Sequence, residues 1–362
     1  MKRYIINIIR ILVGILFTLS GFVKLVDPKG TSYKLQEYFS EDALSLVFLQ
    51  PYTLYISIVF VIAETMLGIF LLLGAAKKFT LRSLLGLIVF FSFLTFYSAY
   101  YNKVQDCGCF GDALKLSPWE SFYKDLVLLL AIIILLIGAR YIKPLFSLRL
   151  NFILLLILTI TSASIAYFGV HYLPIIDFRP YAVGENLKQN RKDQKKPTVK
   201  IDYTLKNKET GEKKIIDSKE YIKDNWWQKQ AWEMQTNLTQ EKTIDEGIPA
   251  KIHDFVIKDE SFTQQILNED KVFLIINYEL YTNEKDQKLR PFIKNLENQK
   301  YDYYLLSSVD MKEFDKVYYL DGIALKTIIR SSPGIILMEK GIVKNKWSWR
   351  GLPTLKELST TK

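Results

Sequence analysis

Residues 52–74, YTLYISIVFVIAETMLGIFLLLG, decide the fold. The run is apolar almost throughout and carries a single acidic or basic residue, Glu64, about midway. Some 20 apolar residues cross a bilayer as a helix. Runs of the same character occupy about 5–26, 80–100, 119–139 and 149–172. The expected architecture is therefore an all-α membrane four-helix bundle over 1–140, then a fifth transmembrane helix at 149–172. Past residue 174 the composition turns to Lys, Asp, Glu, Asn and Gln, and the chain reads as soluble.

The chain has 362 residues, which leaves room for the bundle and one ordinary soluble domain. Its formal net charge is +10. The excess lies in loops beside apolar spans and in one polar tract, with no nucleic-acid module, so a nucleic-acid partner is excluded. The partners expected are the lipid bilayer and an envelope protein.

The loops give the orientation. Lys2, Arg3 and Arg10 flank the first span, Lys77, Lys78 and Arg82 lie between the second and third, and Arg140, Lys143 and Arg149 lie between the fourth and fifth. All fall on one side, which the positive-inside rule makes cytoplasmic. Loops 27–51 and 101–118 and everything from 174 onward are then external. The basic tract Lys188–Lys200 also lies outside, but large domains translocate largely regardless of charge. The first span ends Gly21-Phe22-Val23-Lys24-Leu25-Val26-Asp27 without a small-x-small cleavage pattern, so it reads as a retained helix. Tyr52, Tyr55, Tyr97, Tyr100, Tyr101, Trp119, Phe122 and Tyr123 gather at external helix ends, as an interfacial belt or as packing residues. Ser117-Pro118-Trp119-Glu120 has the form of a capping box opening the fourth span.

Both cysteines lie in Cys107-Gly108-Cys109-Phe110-Gly111-Asp112, between two apolar spans. A pair one residue apart can close a small, strained disulfide, and strain makes such a bond labile. The external side of a bacterial inner membrane is where disulfides form. Asp106 and Asp112 bracket the pair and oppose the thiolate, unless the loop folds onto the helix beginning at Pro118. Redox chemistry, a structural clip, metal ligation and idle thiols all stay open. Metal is the weakest, since His171 and His253 are the only histidines.

Glu64 and Lys24 are ionisable groups within spans, where charge is costly and faces the bundle interior. They form either a proton or quinone site or a plain ion pair, and Lys24 alone suits snorkelling to the surface. Lys124 and Asp125 fall in the outer turns of the fourth span, where no buried role is required.

Ser20-Gly21-Phe22-Val23-Lys24-Leu25-Val26-Asp27-Pro28, then Glu64 with Gly68 and Gly74, then Cys107-Gly108-Cys109-Phe110-Gly111 resemble the DoxX/MauE family of redox-associated membrane proteins over about residues 1–140. The resemblance implies a four-helix bundle with Cys107 and Cys109 as its redox pair. It also implies a quinone as cofactor, which the ionisable residues within the spans would place at Glu64 and Lys24. In that family MauE is linked to maturation of the disulfide-rich small subunit of methylamine dehydrogenase, and DoxX relatives to quinone-linked sulfur metabolism. The extra span and soluble domain depart from short members and are similar to long DoxX proteins of Bacteroidetes, including Leu173–Tyr181.

In the external half, 174–247 reads as a linker and a small region. Strands are expected at Thr198–Leu205 and Lys213–Ile216 about a turn at 209–212, with an aromatic cluster of Trp226, Trp227 and Trp232. From 248 the order is a strand headed by Phe255, a strand at Lys271–Tyr278, a helix over 283–298 and a strand at Tyr301–Leu306. A helical pattern over 311–330 and strands at Ile335–Glu339 and Val343–Trp349 follow. Residues 248–362 thus resemble a thioredoxin-like domain of the TlpA type, with Pro333 at the position of its cis-proline. Its strand–helix turn, Asn277–Glu284, holds no cysteine. Two functions follow. One is a thiol–disulfide, quinone-linked oxidoreductase component of the bacterial inner membrane that supports folding of envelope proteins. The other is a non-catalytic scaffold whose periplasmic domain binds a partner.

Overall fold

The structure, a computed structural model, describes residues 2–104, 108–192, 198–235, 240–245, 250–312, 314 and 316–354. Cys107 and Asp106 lie outside the described residues. The chain forms two compact units, one of residues 1–184 with 256–362 and one of 185–255.

The first unit begins with α1 (Lys2–Val26), α2 (Pro28–Tyr38), α3 (Thr53–Leu73), α4 (Lys77–Tyr101), α5 (Pro118–Ile137) and α6 (Leu148–His171). Lys2–Val26, Val47–Leu73, Lys77–Tyr101 and Leu148–His171 are each long and apolar enough to cross a membrane, and this is a multi-pass membrane protein. Helix α5 has the length to span but carries Glu120, Lys124 and Asp125 in its first two turns. Its start is the expected capping box: Ser117 Oγ accepts the Glu120 N–H, and the Glu120 carboxylate accepts the Ser117 N–H.

The α1–α3 and α4–α5 pairs make the most extensive helix contacts. A core of Val13, Phe17, Leu71, Leu81, Leu84, Ile132 and Leu135 joins them. At Gly21 a Cβ would fall 2.6 Å from the Thr65 backbone nitrogen, so the missing side chain lets α1 approach α3. At one end of the bundle Arg10 donates to the Lys143 carbonyl and Lys77 to the Ile142 carbonyl, which draws the basic loops together. The opposite end carries the end of α1, all of α2 and the cysteine loop.

The rest of the first unit holds α7 (Glu260–Asn268), α8 (Asn283–Asn298), α9 (Gly322–Ile328) and a five-stranded sheet. Chain numbering of the sheet's strands starts after the four of the second unit, β1 (Thr198–Asn207), β2 (Lys213–Asp217), β3 (Trp232–Met234) and β4 (Gln240–Asp245). The five are β5 (Val272–Asn277), β6 (Asp302–Ser307), β7 (Val317–Tyr319), β8 (Gly334–Glu339) and β9 (Ile342–Ser348). Their spatial order is β7-β6-β5-β8-β9. β5, β6 and β7 are parallel, while β8 is antiparallel to both β5 and β9. β5 is buried along its whole length, as a central strand covered on both faces must be. The Ser332–Pro333 peptide is cis, as the sequence led us to expect.

Two expectations need correcting here. Residues 311–330 are not one helix. Val317-Tyr318-Tyr319 pair in parallel with Leu305–Ser307, and the helix starts only after Asp321, whose carboxylate accepts the Ile323 and Ala324 N–H groups. No strand begins at Phe255. Thr263 Oγ1 accepts the Ile257 N–H and Asp259 caps α7, so this stretch bonds to its own helix rather than to a sheet. The segment after α6 is also held within this unit: Arg179 and Tyr181 are buried, and the Gly184 N–H donates to the Val343 carbonyl.

The second unit, 185–255, is a small antiparallel sheet in which β1 pairs with β2 on one edge and with both β3 and β4 on the other. Trp226 and Trp232 meet edge-on at 5.6 Å beside Leu205 and Ile216, while Trp227 is exposed and its ring lies tilted 6.1 Å from Tyr221.

Candidate functional site

Ser20 and Lys24 lie one turn apart on α1 and so share a face. That face meets Glu64 on α3. Lys24 Nζ stands 2.6 Å from Glu64 Oε2, with both side chains about 5% exposed. Lys24 also sits 5.0 Å from the ring centre of Phe91. The expected snorkelling of Lys24 does not occur, because a buried carboxylate within reach is a better partner than water some turns away.

Ser20 carries the connection outward. Its hydroxyl lies 2.8 Å from Glu64 Oε1 and 2.7 Å from the Cys109 carbonyl, and donates toward both. One hydroxyl proton serves two acceptors. Ser20 thus bridges the Glu64 carboxylate to the backbone of the cysteine loop.

The loop itself is compact. The Gly111 N–H donates to the Gly108 carbonyl at 3.0 Å, both glycines have positive φ, and Phe110 bridges to Leu114. Cys109 is half-buried and faces a small cavity of about 60 Å³ bounded by Ser20, Lys24, Glu64, Phe60, Phe90 and Phe91. Lys124 and Asp125 close it from α5. Asp125, 1% exposed, pairs with Lys124 and accepts from Thr95 Oγ1 at 3.1 Å. This corrects the expectation for Asp125, which is buried where α5 meets α4, whereas Lys124 stays partly exposed. Lys124 also lies 5.7 Å from the Phe110 ring centre.

A second cleft, of about 480 Å³ and open to solvent, runs beside the loop between α2 and α9. Arg330, just after α9, crosses it. Its Nε donates to Asp27 Oδ2 and its Nη2 to Asp112 Oδ2, each at 2.7 Å, and Nη1 bonds the Lys326 carbonyl. Lys29 Nζ donates to the Arg330 carbonyl at 2.9 Å, and Lys326 lies 4.8 Å from the Tyr33 ring centre. Burial opposes the charge on Asp27, but Arg330 and Arg179 outweigh it and hold the carboxyl below its ordinary value. Burial likewise works against Arg330, yet Asp27 and Asp112 raise it further above its usual range. Burial pushes the Tyr33 phenol up to about 12.

The cysteine-free turn after β5 lies beside this clamp in the chain's own hydrogen bonding. Ser332 Oγ accepts the Tyr278 and Glu279 N–H groups and donates to Asn277 Oδ1, all at 2.9 Å. Nearby, Lys346 Nζ donates to Asp177 Oδ2 at 2.8 Å, and Asp177 also takes Arg179. Burial would raise Asp177, but these cations bring it down to about 2.

Sequence reading named Cys109, Glu64 and Lys24, and the structure brings all three to one cavity. Cys107 lies outside the described residues. Ser20, Asp125 and Arg330 were missed. The first could have been found from its one-turn spacing to Lys24; Arg330 had no local signal.

Residues 2–138 match the family model described as methylamine utilisation protein MauE. No curated protein and no solved structure matches the chain.

Proposed function

We propose that the protein is a membrane component for thiol–disulfide exchange, working through Cys107 and Cys109 at the outer end of the bundle. The observation that carries this is the hydrogen-bonded line Lys24–Glu64–Ser20–Cys109, which couples a buried ionisable pair to the loop holding both cysteines. The MauE-family match over this segment supports it. Orientation follows the loop charges: the N-terminus and the basic loops are cytoplasmic, α5 is the fourth span and α6 the fifth, and the loop and the residues after α6 are periplasmic in a bacterial inner membrane.

In the reaction a client's two thiols reduce a Cys107–Cys109 disulfide, which leaves the client disulfide and two cysteine thiols. Two electrons and two protons must then leave for an acceptor. The aromatic wall of Phe60, Phe90 and Phe91, with Lys24 and Lys124 as donors, suits a quinone ring and its carbonyl oxygens. A quinone, when bound, supplies a two-electron, two-proton sink. Glu64 holds or passes a proton near Cys109, and the apolar wall excludes water. The open cleft beside the loop gives a client peptide access.

The sheet of the first unit, with its cis-proline loop, is read as a thioredoxin-like module that has no thiol and serves to dock clients. Its contact with the bundle through Arg330 favours a second reading, in which the cysteines form a clip and the protein is a scaffold. Trapping with a thiol-reactive mass tag in intact cells separates the two. Exchange chemistry requires the Cys107–Cys109 state to follow respiratory inhibitors. A pair in one state under all conditions favours the scaffold.

A further inference from the structure

Arg330 and the cysteine loop are 218 residues apart in sequence, yet joined by a 2.7 Å ion pair at Asp112. Arg330 itself is 5% exposed, and both its carboxylate partners lie on the bundle side. A built, two-armed guanidinium clamp fixes geometry as well as charge. Its target stands three residues after Cys109, within about 11 Å along even a fully extended backbone, and the loop here is folded into tight turns.

The charges around Cys109 show what this clamp does. Lys24 on α1 is paired with Glu64 on α3, Lys124 with Asp125 on α5, and Lys34 with Glu37 on α2. Tyr38 adds a neutral phenol from α2, and α4 contributes Thr95, which does not titrate. On the loop itself Lys115 is exposed. Asp112 is the acid that the described part of the loop itself carries, three residues from Cys109, and its cation comes from the far end of the sequence.

We propose that Arg330 is a positioning residue for the cysteine loop: by neutralising and fixing Asp112 it keeps the Cys109 thiol easy to ionise. The inference deepens the exchange reading above and rests on it for its biological use. It makes the later part of the first unit an activator of the loop, although that part carries no cysteine of its own. An uncompensated carboxylate so close would disfavour the thiolate, which is the attacking species.

The test uses the full-length protein in lipid nanodiscs with Cys107→Ser, so that Cys109 is the single thiol. The rate of iodoacetamide alkylation is followed against pH. Arg330→Gln is expected to raise the midpoint by about half a unit to one unit, and adding Asp112→Asn to bring it back. An unchanged midpoint, or a rise that Asp112→Asn does not reverse, overturns the proposal. Should Arg330→Gln fail to fold, Asp112→Asn alone decides. It leaves Arg330 with surplus positive charge at the loop and must lower the midpoint; a midpoint that stays or rises overturns the proposal. Failure of the exchange reading looks different, since a wild-type pair locked in one state in cells leaves this pH profile intact.

Discussion

Two buried ionic systems of similar geometry do different work in this protein. Lys24 and Glu64 meet at 2.6 Å inside the bundle, and Arg330 meets Asp27 and Asp112 at 2.7 Å outside it. The first joins neighbouring helices that already pack along their lengths, through the close approach at Gly21. The second joins segments more than 200 residues apart. A buried pair between packed helices is weak evidence for stability, since a well-shaped apolar pair would pack as well. Its cost inside a membrane bundle argues for chemistry. A clamp between distant segments has no such packing beneath it, and its removal should loosen the junction itself.

The sharpest way to break this contrast is at Glu64. Glu64→Leu leaves Lys24 buried without its carboxylate and should cost about 3 kcal/mol or more of stability. Lys24→Met with Glu64→Leu should recover most of that while abolishing exchange. Denaturation in detergent reads the first effect and mass-tag trapping the second; a double variant as unstable as the single one would remove the contrast.

At the junction, Arg330→Ala should cost about 2 kcal/mol, because it strands two partly buried carboxylates. Hydrogen exchange should rise in α2 and α9 while the α1–α3 contacts keep their protection. Uniform loss of protection would mean that the two systems are one.

Acid offers a reversible version of the same experiment. Asp27 is held below its ordinary value, and Asp177 is lowered from 3.8 to about 2. A carboxyl depressed in the folded state contributes stability above its unfolded pKa and loses it as pH falls through the folded one. Protection around Asp27 and Asp177 should therefore hold above about pH 4 and fail toward pH 2, by about 2 kcal/mol for Asp177. Protection lost already at pH 5 would contradict the sign.

Smaller effects should respect the same division. At Gly30 a Cβ would fall 2.7 Å from Asp27 Oδ2 and 2.9 Å from Arg330 Nη2, so Gly30→Ala should loosen the clamp by about 1 kcal/mol. Ser117→Ala removes the cap of α5 and should also cost about 1 kcal/mol at most, seen as fraying of the first turn rather than at the clamp.

The bundle was legible because lipid imposes a simple rule on composition, and all the apolar runs became helices within a few residues of their expected ends. Glu64 and Lys24 were visible for the same reason, as charges where charge is costly. Asp125 was misjudged because its position near a helix end suggested water, whereas burial there depends on how α4 and α5 face each other. The 317–319 strand was hidden inside a helical pattern, since only its partner β6 makes it a strand. Arg330 lay beyond any local reading: an ion pair across more than 200 residues leaves no periodicity.

The central claim is that the cysteine pair exchanges rather than clips. Equilibrating the full-length protein in graded thiol–disulfide buffers, then counting alkylated cysteines, gives the reduction potential of Cys107–Cys109. Exchange chemistry predicts a value between about −120 and −270 mV, the range of catalytic pairs. A pair that stays oxidised below about −300 mV would be a structural clip and would contradict the account.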